Sequence, residues 1–197
     1  MQETEAHPWK WFAPPNSNVL VVGTFPTARR NWKYEFFYPN TANLFWRIMA
    51  AILKTELQFF SGKEAVEERK NILTRLCAAI TDMGHIIVRN DNSSLDEKLI
   101  AVEFMDIFRI LEENPSINKI LFTSSSGIVS AAGWFNKFLE TKNISHKFPK
   151  DKRPVKSSID YKGRSIKLVI LYSPSPRASN RISFDELVEL YRKEILE

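Results

Sequence analysis

Short apolar runs of strand length constrain the fold of this chain more than any other feature. The run VLVV at positions 19–22 is continuous and ends at Gly23. Residues 119–123 and 165–172 form two further strand-like runs. A strand without alternation of apolar and polar residues is buried on both faces, which is typical of a parallel sheet. The three runs therefore predict a buried, mostly parallel sheet.

Helical patterns occupy the intervals between these strands. Apolar residues at helical spacing, end signals at Asn114-Pro115 and capping boxes at Ser94–Glu97 and Ser183–Glu186 mark the helices. The predicted helices cover residues 44–53, 63–79, 104–111, a stretch from Gly127 to about Asn143, and a C-terminal stretch from Ser183. Alternating strands and helices predict an α/β three-layer sandwich, with a mostly parallel central sheet of about four strands and helices on both faces.

The composition bounds the domain organisation and the class of protein. A chain of 197 residues that is 44% hydrophobic predicts one domain over residues 1–197, with residues 1–17 as an arm packed on it through aromatic anchors. The net charge of +5 favours polyanionic partners, although an ordinary solvated surface explains it equally well. Cys77 is expected to be a buried thiol within the apolar helical stretch 72–80.

Several classes of site and location are not supported. The three histidines lack metal-ligand spacing, and neither a Walker A nor a dinucleotide-binding glycine pattern is present, so we expect no metal and no cofactor. There is no apolar stretch of membrane-spanning length, and the first residues are polar and acidic. We therefore expect a cytoplasmic monomer without a membrane partner.

Two loops follow strand ends directly and are distant in sequence. Residues 23–26 (GTFP) follow the first strand, and residues 173–176 (SPSP) follow the last. Ligands of parallel sheets bind outside the carboxyl ends of the strands. The pattern predicts that both loops lie at one rim and form the candidate site.

The first loop, residues 23–43, is long and rich in aromatic side chains. A long ordered loop is usually functional, and aromatic rings can stack on an unpaired base. Phe37 and Tyr38 could serve in this way or could fill the core. We expect Phe45 and Trp46, at the start of a helix, to lie in the core.

Other polar residues allow more than one role. Asp82 could accept a hydrogen bond from a base, cap a helix or pair with Arg89. The last loop is stiffened by two prolines, so Arg177 could enter a groove and fill the gap left by an extruded base, or could lie in solvent. The stretch SSSG at positions 124–127 is interpreted as a capped helix start.

Four segments together resemble the uracil-DNA glycosylase superfamily. VVGTFPT at positions 21–27 is similar to its first motif, and FYPNTANLFWR at 37–47 to the Asn-x-Phe-Trp signature of the mismatch-specific and hypoxanthine-DNA glycosylase branches. ITD at 80–82, with Arg89, Ser94 and Asp96, resembles the middle segment of those branches. SPSPR at 173–177 resembles the His-Pro-Ser-Pro-Leu motif, whose loop enters the minor groove.

The resemblance implies a repair enzyme and assigns roles to residues. Phe25 stands where many members carry a water-activating Asp or Asn, and Ser173 stands where they carry a histidine. The catalytic residues implied are Asn43 and Ser173. The base-binding residues implied or proposed are Thr24, Phe25, Phe37, Tyr38 and Asp82. The expected DNA-binding residues are Pro26, Arg29, Arg30, Ser175, Pro176, Arg177, Asn180 and Arg181.

The expected function is that of a monofunctional DNA glycosylase. It would flip a deaminated base, hypoxanthine or uracil, out of DNA and hydrolyse its N-glycosidic bond. Two alternatives stay open. Phe25 and Ser173 could mark a catalytically inactive nucleic-acid-binding module of the same fold, and an enzyme acting on a small nucleotide or other ligand is the third possibility.

Overall fold

The computed structural model describes residues 3–124, 127–176 and 181–197. The strands are β1 (Thr4–Ala6), β2 (Val19–Gly23), β3 (Ala78–Asp82), β4 (Gly84–Arg89), β5 (Leu99–Phe104), β6 (Lys119–Phe122), β7 (Val155–Tyr161) and β8 (Arg164–Ile170). The α-helices are α1 (Phe45–Ile52), α2 (Gly62–Arg75), α3 (Ile107–Glu113), α4 (Ala131–Thr141) and α5 (Phe184–Leu196). Single 3-10 turns lie at Arg29–Asn31, Asn90–Asn92 and Asp96–Lys98.

Five of the described strands form the main sheet, in the order β3-β2-β6-β8-β7. The first four are mutually parallel. β7 is the additional strand, and it pairs antiparallel with β8 through a turn in which Lys162 and Gly163 both have positive φ (49° and 75°). A two-residue turn with this geometry matches the twist of a hairpin. The predicted mostly parallel sheet is confirmed, with one strand more than the four expected.

Each parallel strand sends alternate side chains into two separate cores. In β2, Leu20 and Val22 join the core that contains α3 and α4, whereas Val19 and Val21 join the core that contains α1, α2 and α5. All four side chains are buried. Helices therefore cover both faces of the main sheet, and the predicted three-layer sandwich is confirmed.

The segment between α2 and α3 differs from the prediction. The helix expected to reach residue 79 ends at Arg75, and Cys77 adopts φ 49° at the junction with β3. Cys77 is half-buried, so the expected buried thiol within a helix is wrong. The run Ala78-Ala79-Ile80 is as apolar as a buried helix segment, and periodicity alone does not separate the two. Residues 78–82 form a strand because they pair with β2 in the main sheet.

The predicted capping box at residues 94–97 does not form. Ser94 instead accepts a hydrogen bond from Asn31 Nδ2 at 2.8 Å, and the chain continues into β5. β5 pairs antiparallel with β4, and β4 pairs with β1, which gives a small second sheet. The following helix begins at Ile107, where the Asp106 side chain caps it, and ends before Asn114 as predicted.

The N-terminal arm packs along the strands of both sheets. β1 adds to the small sheet, and further on Phe12 and Ile80 exchange two backbone hydrogen bonds of 3.0 and 2.8 Å. Ile80 lies on β3, the edge strand of the main sheet. An open strand edge is prone to pair with other chains, and the arm covers part of this one. No helix in the described ranges is long and apolar enough to cross a membrane.

The capping box at Ser183 is confirmed. The Ser183 hydroxyl accepts from the Glu186 backbone N–H, and the Glu186 carboxylate accepts from the Ser183 backbone N–H at 3.0 Å. The helix that it begins, α5, buries Leu187, Tyr191 and Ile195 against the main sheet. The cap therefore stabilises a helix on which one layer of the sandwich depends.

We predict that Ser183→Ala lowers the free energy of unfolding by about 1 kcal/mol. The Glu186 backbone N–H loses its acceptor, and the reciprocal hydrogen bond from the Ser183 N–H to the Glu186 carboxylate loses its support. Urea denaturation of the variant and the wild type measures the difference. Ser158→Ala, at an exposed strand position, is the control and should change stability by less than about 0.5 kcal/mol. Equal stabilities of the two variants would contradict a functional cap.

Candidate functional site at the carboxyl rim

The four parallel strands end at one edge, which we call the carboxyl rim. Asp82 ends β3, Gly23 ends β2, and Thr123 directly follows β6. The loop after β8 reaches the same edge, because the Leu44 backbone N–H donates to the Pro174 carbonyl at 2.9 Å. Because β2 and β8 run parallel in one sheet, residues 23–26 and 173–176 follow strand ends at the same edge, as predicted. The rim therefore brings together the ends of these strands, among them the Asp82 carboxylate and the Thr123 hydroxyl.

The Asp82 carboxylate lies directly over Gly23. The two residues are paired across β2 and β3, and a Cβ atom placed on Gly23 would lie 2.1 Å from Asp82 Oδ1 and 3.1 Å from the Tyr38 hydroxyl. Any side chain at Gly23 would collide with the carboxylate. The absence of a side chain therefore allows the carboxylate and the phenol to approach the end of β2.

Tyr38 is fixed at the rim by stacking and by one hydrogen bond. Its ring stacks on Phe45 at 4.1 Å between centroids, and its hydroxyl lies 2.7 Å from Thr123 Oγ1. Because Thr123 Oγ1 donates to the Val22 carbonyl, the Tyr38 hydroxyl is the donor to Thr123. Burial, and next the negative charge of Asp82, raise the pKa of Tyr38 well above its ordinary value. Tyr38 is therefore a neutral phenol at physiological pH.

Thr24 connects the first loop to the loop after β6. Its hydroxyl lies 2.8 Å from the Ser124 hydroxyl, and its carbonyl accepts from the Gly84 N–H. Ser124 Oγ also accepts from the Ala131 backbone N–H at 2.8 Å. The N-cap of α4 is Ser130, so the predicted helix start at residues 124–127 lies too early; residues 125–126 fall outside the described ranges.

Asp96 adds a second carboxyl group to the rim. Burial raises its pKa from 3.8 to about 6, and the charge of Asp82 raises it further, whereas the Thr24 side chain and Arg89 oppose the shift. In the sequence, Asp96 lies in the segment that resembles the middle part of the glycosylase branches, and no role was predicted for it. Asp96 lies close to Thr24 because the connection between β4 and β5 folds towards that residue, which no sequence pattern predicts.

The partner of Asp82 is His7, on the N-terminal arm. His7 Nε2 lies 3.1 Å from Asp82 Oδ2, and the two side chains are 0% and 8% exposed. Asp82 therefore neither caps a helix nor pairs with Arg89. Arg89 instead binds the Glu5 carboxylate, with its Nε 2.8 Å from Oε1, and the Pro26 carbonyl. No sequence pattern indicates His7, because the pair joins residues 75 positions apart.

The aromatic residues of the first loop divide between core and rim. Phe37 is 0% exposed and contacts His7, Trp9 and Phe36, so the expectation that Phe37 stacks on a base does not fit its position. Phe25 is half-buried and contacts His7 edge-on. Tyr38 is half-buried with one neighbour stacked on it. Phe45 and Trp46 are buried, as expected.

The two residues expected to be catalytic both support local turns. Asn43 Oδ1 accepts from the Phe45 backbone N–H at 2.9 Å, at the start of α1. Ser173 Oγ accepts from the Ser175 backbone N–H at 3.2 Å. Asn43 and Ser173 are half-buried. The loop contact between Leu44 and Pro174 lies one residue from each of them.

The residues expected to bind DNA lie in different surroundings. Arg29 and Arg30 are exposed, and Arg29 pairs with Glu35 at 3.2 Å. Pro26 is buried, so its expected direct contact with DNA does not fit the structure. Ser175 is half-buried, and Pro176 and Arg181 are exposed. Arg177 and Asn180 lie outside the described residues.

Two other features bear on the choice of site. A groove of about 620 Å³ lies between residues 55–59 and α2, and its lining includes four glutamates, Glu56, Glu64, Glu67 and Glu68, and two basic residues, Lys63 and Arg75. The excess of carboxylates disfavours a polyanionic ligand there, which makes the carboxyl rim the better candidate for the expected partner. Among the described residues, there is no cluster of histidine, cysteine and carboxylate side chains that could hold a metal ion.

Comparison with known proteins identifies a similar fold. The chain resembles the solution NMR structure of a putative uracil DNA glycosylase from Methanosarcina acetivorans, with a TM-score of 0.59 and 17% sequence identity. The likeness covers 96% of this chain and 97% of that chain. No protein-family profile and no curated protein matches the sequence. The chain thus has a uracil-DNA-glycosylase-like fold, and its assignment to the mismatch-specific or hypoxanthine branches stays a prediction.

The pKa of Asp96 predicts a specific pH dependence of stability. Its pKa is raised in the folded state, so its contribution is fully present below its ordinary pKa and is lost as the pH rises through about 6. Asparagine does not ionise, so Asp96→Asn removes this pH-dependent loss of stability. Relative to the wild type, we expect the variant to gain about 1 kcal/mol between pH 4.5 and pH 7.5, after allowance for solvent screening.

Urea denaturation at the two pH values measures this difference. Asp91→Asn is the matched control, because Asp91 is an exposed carboxylate in the same hairpin connection. Its effect on the free energy of unfolding should be nearly the same at both pH values. A difference between Asp96→Asn and the wild type that does not change with pH would contradict the proposed environment of Asp96.

Proposed function

We propose that the protein is a monofunctional DNA glycosylase that removes deaminated bases, hypoxanthine or uracil, from DNA. The observation that carries the proposal is the carboxyl rim, where Asp82, Tyr38 and Thr24 surround the end of β2 beside the Leu44–Pro174 contact. A rim of this kind presents a carboxylate acceptor, hydroxyl groups and an aromatic ring to one ligand. The uracil-DNA-glycosylase-like fold supports the same conclusion.

The target nucleotide must leave the duplex before it reaches the rim, because a stacked base is inaccessible. In the proposed complex, Asp82 accepts a hydrogen bond from the imino N–H of the base. Thr24 and Ser173 offer hydroxyl donors to its carbonyl oxygens, and Phe25 and Tyr38 border it. Each well-placed donor contributes about 2.7–4 kcal/mol to transition-state stabilisation.

The proposed reaction breaks the bond between C1′ of the deoxyribose and the base nitrogen. The electron pair leaves with the base, which then takes up a proton, and C1′ becomes an oxocarbenium-like centre. A water molecule adds to C1′ and releases a proton to the solvent. Asn43 is a poor base, and its Oδ1 is bound to the Phe45 N–H. Its remaining amide N–H groups could orient the water through the water oxygen.

DNA binding is proposed to use the basic groups around the rim. The net charge of +5 favours a polyanion, and Arg29 and Arg30 are exposed on the first loop. Ser175 and Pro176 follow β8, and we propose that Arg177, Asn180 and Arg181 continue this DNA-binding segment, with Arg177 at the wedge position. One rim suffices for one flipped nucleotide, so we propose a monomer. Such a substrate places the activity inside the cell.

A second candidate function is a non-catalytic module that binds damaged DNA. Two observations favour it. Phe25 supplies no group that activates water, and the Asn43 carbonyl oxygen is engaged in a local hydrogen bond. Such a module would bind the damaged site without releasing the base.

Oligonucleotides that carry uracil, hypoxanthine or xanthine distinguish the two functions. After incubation with the protein, alkali cleaves the strand wherever a base has been released. We expect multiple turnover on at least one of these bases and no cleavage of the undamaged duplex. Damage-dependent binding without strand cleavage, with active control enzymes, would overturn the catalytic proposal in favour of the binding module.

Asn43 offers the sharpest test of catalysis by a single residue. We expect Asn43→Ala to lower the single-turnover cleavage rate about 100-fold, because the oriented water is lost. Asn43→Asp keeps the oxygen that accepts from the Phe45 N–H but lacks the amide donors, and it should lose activity while retaining stability.

Asn40→Ala is the matched control for damage to the loop. Asn40 Oδ1 accepts from the Ala42 backbone N–H at 2.9 Å, which is a turn contact equivalent to that of Asn43. We expect this variant to keep its cleavage rate within about threefold of the wild type. Equal loss of activity in Asn40→Ala and Asn43→Ala would move the catalytic role elsewhere.

A further inference from the structure

We propose that His7 is a positioning residue, which holds the Asp82 carboxylate so that Oδ1 reads the imino N–H of the flipped base. The proposal rests on the proposed glycosylase function and deepens it by assigning a residue to the discrimination between deaminated bases and the bases from which they derive. Hypoxanthine and uracil carry an imino N–H at the Watson–Crick edge that Oδ1 would accept. Adenine and cytosine carry a bare acceptor nitrogen at that position and would be rejected.

The N-terminal arm fixes the position of His7. β1 precedes it in register with β4, and the His7 backbone N–H donates to the His85 carbonyl at 2.7 Å. The ring stacks on Phe37 at 5.6 Å between centroids and meets Trp9 and Phe25 edge-on. Its side chain is 0% exposed. The imidazole is therefore enclosed by three aromatic side chains.

Both ring nitrogens of His7 have polar neighbours. Nδ1 lies 2.7 Å from the Trp9 carbonyl oxygen and 3.2 Å from the Trp9 backbone nitrogen. Nε2 faces Asp82 Oδ2 at 3.1 Å, and because a carboxylate oxygen accepts, the hydrogen bond between these atoms is donated by Nε2. His7 thus connects the carboxylate to the backbone of the arm.

The second oxygen of Asp82 is left for a ligand. Oδ1 lies over Gly23, and no described donor forms a hydrogen bond with it. Asp82 as a whole is 6% exposed, and its side chain is 8% exposed. A carboxylate oxygen that accepts no hydrogen bond from a described residue is available to a ligand that brings an N–H group.

A matched substrate pair tests the role of Oδ1. Hypoxanthine and N1-methylhypoxanthine in the same duplex differ in the N–H that Asp82 would accept. We expect the wild type to cleave the methylated substrate about 100-fold more slowly, and His7→Phe to reduce this ratio to within about threefold. His7→Gln keeps one donor for Asp82, and it should restore part of the discrimination.

Two controls separate positioning from a structural effect. His85→Phe replaces the neighbouring histidine on β4, and it should keep the wild-type ratio. In the Asp82→Asn background, His7→Phe should cause little further loss of rate, because His7 acts only through the carboxylate. Wild-type discrimination in folded His7→Phe, or additive losses in the double variant, would overturn the proposal.

A spectroscopic measurement keeps the inference separate from the proposed function. Nitrogen-detected NMR of the His7 ring should show a proton on Nε2, and Asp82→Asn should shift its resonance. A wild-type ring without a proton on Nε2, or a resonance that Asp82→Asn leaves unchanged, would overturn the pairing. If the wild type shows this signature but cleaves none of the damaged bases, the proposed function fails while the His7–Asp82 assignment stands.

Discussion

Burial of β2 on both faces is the constraint on which the rest of the structure depends. Its four apolar side chains alternate between two cores, and its backbone pairs with β3 on one side and β6 on the other. Parallel neighbours require crossover connections, and those connections supply the helices that cover each face. The same arrangement places the ends of β2, β3 and β6 at one edge. The candidate site is therefore a consequence of how the core is built.

At that edge, local chemistry depends on a missing side chain. Gly23 leaves room for the Asp82 carboxylate and the Tyr38 hydroxyl, and the loop contact between Leu44 and Pro174 joins the two sides. Burial around this small space disfavours added negative charge, which is why the pKa values of Tyr38 and Asp96 are both raised. A rim with these properties suits a neutral ligand that offers hydrogen-bond donors, as a deaminated base does.

The sequence predicts the fold well where one pattern has a single outcome. The uninterrupted run at residues 19–22 ends at a glycine and forms the predicted buried strand, and Ser183 with Glu186, followed by a long apolar-periodic stretch, begins the predicted helix. Residues 78–80 fit a helix and a strand equally well, and pairing with β2 decides between them. The site follows the same rule. Asp82 is among the residues expected to bind a base, whereas its partner His7 depends on where the arm folds.

The His7–Asp82 pair is difficult to explain by stability alone. Burying a charged or hydrogen-bonded pair costs desolvation energy, and an apolar pair of similar volume is often as stable. The surroundings of His7 are aromatic, so Phe37, Trp9 and Phe25 could accommodate another ring without a hydrogen-bond partner. A phenylalanine there could not fix the carboxylate. The polar pair leaves one oriented oxygen over Gly23, and that oxygen is what the proposed recognition of a base requires.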